Sequence, residues 1–261
     1  MMALTLAGCG GSVLPATTPT TDAVILRLNS IDTLPLLTDL TRGYAQLVPH
    51  IRFEIRARSY ATAAEEAFSD PPVYFLTNHL PPEEVTLWGA PVGQDGLTII
   101  THLGNPVTNL TIEQLRDIYQ GRITNWEKVG GPHLSIQVIS REAGSGTRAE
   151  YERLVMGERR TTQTAQIAPS SQAVLTSVAR QTGSIGYISI SEVDSRVQTL
   201  RINSITPTQL SISENNYPLR TTLFFAGPGE PEGPLRQFIA WVQSPEGQAI
   251  VARRYAALIN P

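Results

Sequence analysis

The sequence holds a single cysteine, Cys9, so no disulfide can form within the chain. It has no basic excess: 20 Lys and Arg stand against 23 Asp and Glu, a formal charge of -3. That balance argues against nucleic-acid binding, which draws on a basic face. It leaves room for a small anion, because one or two arginines and local dipoles can hold an anion on an acidic protein. No apolar run approaches the ~20 residues needed to span a bilayer. His50, His79, His102 and His133 are scattered without metal-ligand spacing and are expected as surface or loop residues, with neither metal nor cofactor. No internal repeat of solenoid length is present. What the chain does have is length and apolar content: 261 residues, 41% hydrophobic, enough for a packed core in one large domain or two ordinary ones.

The context of Cys9 is informative. Leu6-Ala7-Gly8-Cys9 resembles the lipobox of bacterial lipoproteins, in which the cysteine becomes lipid-modified. The alternative is an incidental cysteine near a terminus. Only eight residues precede Cys9 and none is Lys or Arg. A secretory signal opens with basic residues and a longer apolar stretch, so the start is expected to be truncated or misassigned. The Gly-, Ser-, Pro- and Thr-rich run that follows reads as a tether, and residues 1–22 are assigned to signal remnant plus tether.

Beyond the tether, apolar runs and periodic segments alternate. Residues 23–30 predict a strand, 33–49 a helix with Leu36, Leu37, Leu40, Tyr44 and Leu47 at helical spacing, and 51–59 an alternating strand. A short helix and the strand 72–76 complete a β-α-β-α-β pattern, the signature of a parallel sheet covered by helices. Strands follow at 96–103, 135–141 and 184–190, and helices at 109–121, after Ser145, and at 170–183. Thr111 and Gln114 have capping-box spacing, with Gly121 as the stop. The chain ends with a strand (219–227), a helix, and a second helix opened by Ser244 and Pro245.

The segment SREAGSGTRAEYERLV, residues 140–155, carries the chemistry. A strand ends at Arg141, a glycine-containing turn follows, and a helix begins near Ser145. Backbone N–H groups at a helix start are unpaired and electropositive. Gly144 and Gly146 let a ligand approach the backbone, Ser145 and Thr147 add hydroxyl donors, and Arg141 offers a two-pronged contact to an oxyanion. A Walker A loop is excluded because its Lys is missing. The hydrolase elbow G-x-S-x-G fails because Gly144 and Gly146 flank Ser145 directly. A capped helix without a ligand remains open on the loop alone. Arg148 and Arg153 are expected to form a solvated face with Glu150 and Glu152. Trp126, Tyr187 and Trp241 are expected in the core, and Ser170 and Ser171 either cap their helix or line a cleft.

Four stretches in order, residues 95–131, SREAGSGTRAEYERLV, GSIGYISI, and YPLRTTLFFAG with FIAWVQSPEGQAIV, resemble the phosphate-binding substrate-binding proteins of bacterial phosphate ABC transporters. The resemblance covers roughly residues 91–258, and 24–50 more weakly. It implies a class II periplasmic-binding-protein fold: two α/β domains joined by two hinge segments around an interdomain ligand cleft. Domain I is expected to be discontinuous, 23–101 and 190–261, with domain II at 102–189. The implied function is extracytoplasmic capture of phosphate or a related oxyanion by a lipid-anchored, membrane-attached monomer that delivers it to the permease subunits of an ABC transporter, with no catalysis.

By that resemblance Arg141, Ser145, Gly146 and Thr147 form one half of the ligand site. The family's other half departs in this sequence. Where the family places Gly followed by Ser or Thr, NSIDTLP offers Ser30 and Thr33 as donors but puts Ile31 and Asp32 at hydroxyl positions. After the third strand, Thr77 and Asn78 stand where Ser-Arg or Ser-Asp is usual. The family's Asp before Gly-Ser-Gly-Thr is replaced by Ala143, with Glu142 one earlier. A carboxylate acceptor favours phosphate, which keeps a proton, over fully ionised oxyanions. Glu142 or Asp32 is expected to fill that role, unless Asp32 is a plain helix N-cap. Two further readings stand beside transport: a degenerate member acting as a sensor, adhesion or assembly protein, and a hydrolase built on Ser145.

Overall fold

The computed structural model describes residues 23–81 and 87–258. Cys9, the lipobox-like stretch and the tether lie outside the described residues. The first elements are β1 (Val24–Ile31), α1 (Leu34–Leu47), β2 (Ile51–Ala57), α2 (Tyr60–Ala67), β3 (Tyr74–Thr77), β4 (Trp88–His102), β5 (Asn109–Leu110) and α3 (Ile112–Tyr119). There follow β6 (Gln137–Arg141), α4 (Gly146–Tyr151), β7 (Gln166–Ala168), α5 (Ser171–Arg180), β8 (Ser184–Ser189), β9 (Val197–Thr199) and β10 (Arg201–Ile202). The chain closes with α6 (Gln209–Ser213), β11 (Arg220–Gly227), α7 (Gly233–Val242) and α8 (Pro245–Val251).

The mixed α/β architecture follows the sequence pattern. Strands β1, β2 and β3 pair in parallel in the order β2-β1-β3. Helix α1 buries Leu36, Leu37, Leu40 and Tyr44 along one stripe, as a 3.6-residue period requires. Helix α3 carries the Thr111–Gln114 capping box, and Gly121 follows it with φ 75°, a conformation glycine adopts without strain. The sheet continues β3-β11-β4-β8-β6-β7, with β9 also paired to β4. Strand β8 is buried along its whole length, which explains why its middle residues, Ile185 to Ile188, do not alternate with charged ones.

Two elements differ from expectation. Strand β4 begins at Trp88 rather than near residue 96, its first half disguised by Gly89, Pro91 and Gly93. Proline fits there because the register with β11 slips beside it, at Leu223/Phe224. Helix α8 stops at Val251, because Ala256 is drawn into reciprocal backbone hydrogen bonds with Gln94 of 2.8 and 2.9 Å.

The apolar side chains separate into cores around the same sheet. One gathers Leu28, Leu36, Leu40, Phe225 and Phe238. The other gathers Leu97, Leu115, Trp126, Tyr187 and Leu219, with α5 packing Val174 and Leu175 on a further cluster beside it. Trp126 and Tyr187 are buried, and Trp241 is partly buried. The chain passes from the first core to the second along β4 at Asp95–Leu97 and returns at Leu219–Thr221. These paths run side by side, and Leu97 N donates to Leu219 O at 2.8 Å.

Asp95 sits at this crossing with 1% exposure. Its Oδ1 accepts from Gly96 N at 2.7 Å and from Ser189 Oγ at 2.8 Å. Burial pushes its carboxyl up to about 7 from 3.8. The folded state therefore holds this proton more tightly than the unfolded chain. The stability it contributes is complete below about pH 4 and is lost as pH rises to about 7. We expect the stability difference between wild type and Asp95→Asn to fall across that window by on the order of 1 kcal/mol per pH unit, and to be flat above it. Urea denaturation at stepped pH measures this; a difference independent of pH overturns it.

Candidate functional site

Strand β6 delivers Arg141 to the edge of the second core, where its side chain is only 2% exposed. Tyr187 stacks on Tyr151 at 4.1 Å, and its hydroxyl meets Ser140 Oγ at 2.8 Å and accepts from Arg141 N at 3.2 Å. The backbone that carries Arg141 is thus fixed by packed aromatics. Its Nε and Nη2 donate to the two Glu142 oxygens at 2.9 Å, and its Nη1 donates to Ser171 Oγ at 3.0 Å. The next turn puts Ser145 at the N-cap of α4, where Oγ accepts from Arg148 N at 3.2 Å.

Across the cleft stands Asp32, in the turn between β1 and α1. It adopts φ 57°, a left-handed conformation that Asp tolerates better than most residues. It is not an N-cap, since Thr33 occupies that position. Instead its carboxylate crosses to the other side. Oδ1 accepts from Arg141 Nη2 at 2.8 Å. Oδ2 accepts from Ser145 Oγ at 2.7 Å, Thr147 N at 3.1 Å and Thr147 Oγ1 at 3.0 Å. Burial pushes this carboxyl up, but the Arg141 charge and hydrogen bond, with those from Ser145 and Thr147, hold it below the usual carboxylate range. Arg141, Ser145 and Thr147 therefore converge on an anion, and that anion belongs to the protein.

The remaining expected residues divide. Asn78 Nδ2 donates across the cleft to Thr147 Oγ1 at 3.0 Å, and Thr221 Oγ1 donates to Asn78 O at 2.8 Å. Gly146 suits this closeness, because a Cβ there would push Asn78 Oδ1 aside. Ser30 lines the cleft, its hydroxyl 3.0 Å from that of Thr33. Thr33 is not a free donor: it gives its proton to Leu76 O at 2.9 Å. The Thr77 hydroxyl is likewise engaged within its own turn, with the backbone of His79.

Other expectations need correction. Glu150 is buried rather than solvated, taking Arg153 on one side and His79 Nδ1, 2.7 Å away, on the other. His79 is a loop residue but not a surface one, with its side chain 14% exposed. Arg148 Nη1 reaches back to Arg141 O at 3.0 Å, and its Nε pairs with Glu152. Ser170 caps α5 by accepting from Ala173 N, while Ser171 lines the cleft.

A cavity of about 400 Å³ opens beside Asp32, between Arg141, Ser30, Ser59, Ser171 and Glu192. Glu192 escaped sequence reasoning because it lies outside every motif. Burial pushes its carboxyl up; the Asp32 charge adds to this, while Ser171 and Arg141 oppose it. Its Oε2 is buried without a hydrogen-bond partner. Among the described residues no group of histidines, cysteines and carboxylates is arranged to hold a metal ion.

Comparison with known proteins gives this geometry a context. A family model described as a PBP superfamily domain matches residues 16–246. The phosphate-binding protein PstS of Borreliella burgdorferi is 30% identical over 169 residues, 60% of this chain and 61% of that protein. PstS of Pseudomonas aeruginosa is 26% identical over 263 residues, 85% of this chain and 79% of that one. The match to the Bacillus subtilis PstS spans 47% of it, so several curated relatives are matched over well under two thirds of their length. Among solved structures, a phosphate ABC transporter substrate-binding protein assigned in Clostridium perfringens, with bound phosphate, superposes with a TM-score of 0.84 at 27% identity, covering 90% of this chain and 100% of its own. An ABC-type phosphate transport receptor from Vibrio cholerae gives 0.78 at 27% identity, with 90% and 100% covered.

Removing one partner of a buried ion pair leaves the other charge uncompensated, at a cost of about 3 kcal/mol or more. Arg141→Met is expected to destabilise the protein by that order in urea denaturation, and Asp32→Asn added to it to recover part of the loss. Additive losses in the double variant contradict the coupling.

Proposed function

We propose that this chain, which belongs to the PBP superfamily, is an extracytoplasmic solute-binding protein that captures an oxyanion, above all phosphate, for an ABC transporter. One observation carries the reading. Arg141, Ser145 and Thr147 direct four donors at a single carboxylate, so the site is built to hold negative charge and is seen holding it. The names of the PstS relatives, and the bound phosphate of the Clostridium perfringens protein, support phosphate as that anion.

Binding rather than hydrolysis is favoured by how Ser145 is used. Its Oγ donates to Asp32 and accepts from Arg148 N, with no imidazole bonded to it. Asn78 and Gly146 join the site in this reading, and Glu142 anchors Arg141. We place the interdomain crossings at Asp95–Leu97 and Leu219–Thr221, in place of the sequence boundaries near 101 and 190, because Leu200, Ile202, Tyr217 and Leu219 pack with Leu97. The ligand then stabilises the closed state by touching both jaws. Attachment to the membrane through Cys9, and delivery to permease subunits by a monomer, complete the proposal. The hold of Asp32 on the donors favours one second reading, a member that has given up phosphate uptake and serves as a sensor or assembly protein.

Calorimetry with phosphate, sulfate, tungstate and molybdate separates the two. Phosphate is expected to bind with measurable heat. Arg141→Lys, which keeps the charge beside Asp32 but loses the planar fork, is expected to weaken binding about tenfold or more. Absence of heat and of thermal shift with every oxyanion overturns the transport reading.

A further inference from the structure

The donors of an anion clamp have a limited capacity. Asp32 Oδ2 takes three of them, and Oδ1 takes the inward nitrogen of Arg141. Ser145 Oγ and Thr147 Oγ1 each have one proton to give, and both are given to Asp32. Nη1 of Arg141 is engaged by Ser171, and Nε by Glu142. An anion entering from the cavity therefore finds the two hydroxyl protons and Thr147 N already committed. It also meets the Asp32 charge at close range in a part-buried setting, where like charges repel strongly. Phosphate and the Asp32 carboxylate cannot use these groups together.

We propose that Asp32 is a built-in anionic ligand of this clamp, which draws the jaws together without phosphate and sets affinity by competing with it for Ser145, Thr147 and Arg141. The proposal rests on the phosphate reading for its competitor, but not for its closure. Attachment to the same chain gives Asp32 a fixed effective concentration that no dilution removes. The phosphate affinity is then reduced by the fraction of molecules in which the clamp is free. The backbone supports the swing: a left-handed residue between β1 and α1 aims the carboxylate at the opposite jaw, and Asp is one of the few side chains suited to it. The cavity beside Asp32, about 400 Å³, gives the displaced carboxylate somewhere to go. Once displaced, it borders the ligand and accepts a hydrogen bond from the O–H of a phosphate that carries a proton, so sulfate, which carries none, is disfavoured.

The test compares wild type with Asp32→Gly, which suits φ 57° and empties the clamp, and with Asp32→Asn, which keeps the shape without the charge. Small-angle X-ray scattering of the ligand-free proteins reads closure. Wild type is expected to keep one radius of gyration with and without phosphate, and Asp32→Gly to expand when ligand-free and contract on adding phosphate. Calorimetry reads competition: both variants are expected to bind phosphate at least tenfold more tightly than wild type, and Asp32→Gly to lose preference for phosphate over sulfate. Equal phosphate affinity in all three overturns the proposal while leaving phosphate capture intact. Phosphate binding by none of them overturns phosphate capture, and the latch is then decided by scattering: an unchanged radius in ligand-free Asp32→Gly overturns it.

Discussion

The structure turns on a buried guanidinium that is answered by carboxylates from both sides of the cleft. Arg141 is fixed from behind by the stacked tyrosines 151 and 187 and by Ser171, all belonging to the second core and its surroundings. Glu142 answers part of its charge from a position still open to water, with its side chain 39% exposed. The answer from inside the cleft comes from Asp32, on the first core, and the contact between the halves is therefore an act of charge compensation. Such a pair gains little over two solvated ions, because desolvation offsets the attraction. That near balance suits a contact that opens and closes in the proposed capture of an anion.

Around this pair the contacts are neutral or peripheral. Asn78 reaches Thr147, and His79 reaches Glu150, which Arg153 also holds from its own side. Every one of these lands on the run from Arg141 to Glu150. On one side these bonds thus fall on a single continuous segment following β6, with Ser171 and Glu192 beside it, while the other side is assembled from the loops after β1, β2 and β3. The continuous side keeps its geometry by local bonds, as when Arg148 caps back onto Arg141 O. The assembled side depends on the packing of β1 against β3, where Thr33 ties the first loop to Leu76.

That difference explains what could be read from the sequence. The continuous side was legible because its residues are neighbours in the chain: Arg141, Ser145, Gly146 and Thr147 all lie where the motif puts them. So were the parallel order of the first strands and the capping of α3. The assembled side was not, since whether Ser30 or Thr33 faces a cleft depends on which partner its hydroxyl finds, and Leu76 O, which takes the Thr33 proton, lies 43 positions away; Thr77 is turned back within its own turn onto His79 O. Asp32 was read both as a ligand-side acceptor and as a helix cap. It is no cap, and its long-range partners appear only when residues more than 100 positions apart are brought together. Glu192 and the burial of Glu150 escaped for the same reason. The length of β4 was hidden by glycines and a proline that are tolerated at a register slip.

The paired crossing strands have a consequence for how this protein can change. Leu97 and Leu219 are bonded neighbours, and within the crossing Arg220 faces Gly96 and Thr221 faces Asp95. Side chains alternate sides along such strands, so inserting or deleting one residue would turn those that follow to the opposite face, up to a register slip such as that at Leu223/Phe224. Substitutions at the crossing alter stiffness, whereas a length change scrambles two interiors at once. A substitution in the loops that border the cleft, such as one that places an aspartate at position 32, leaves the strands that join the halves undisturbed.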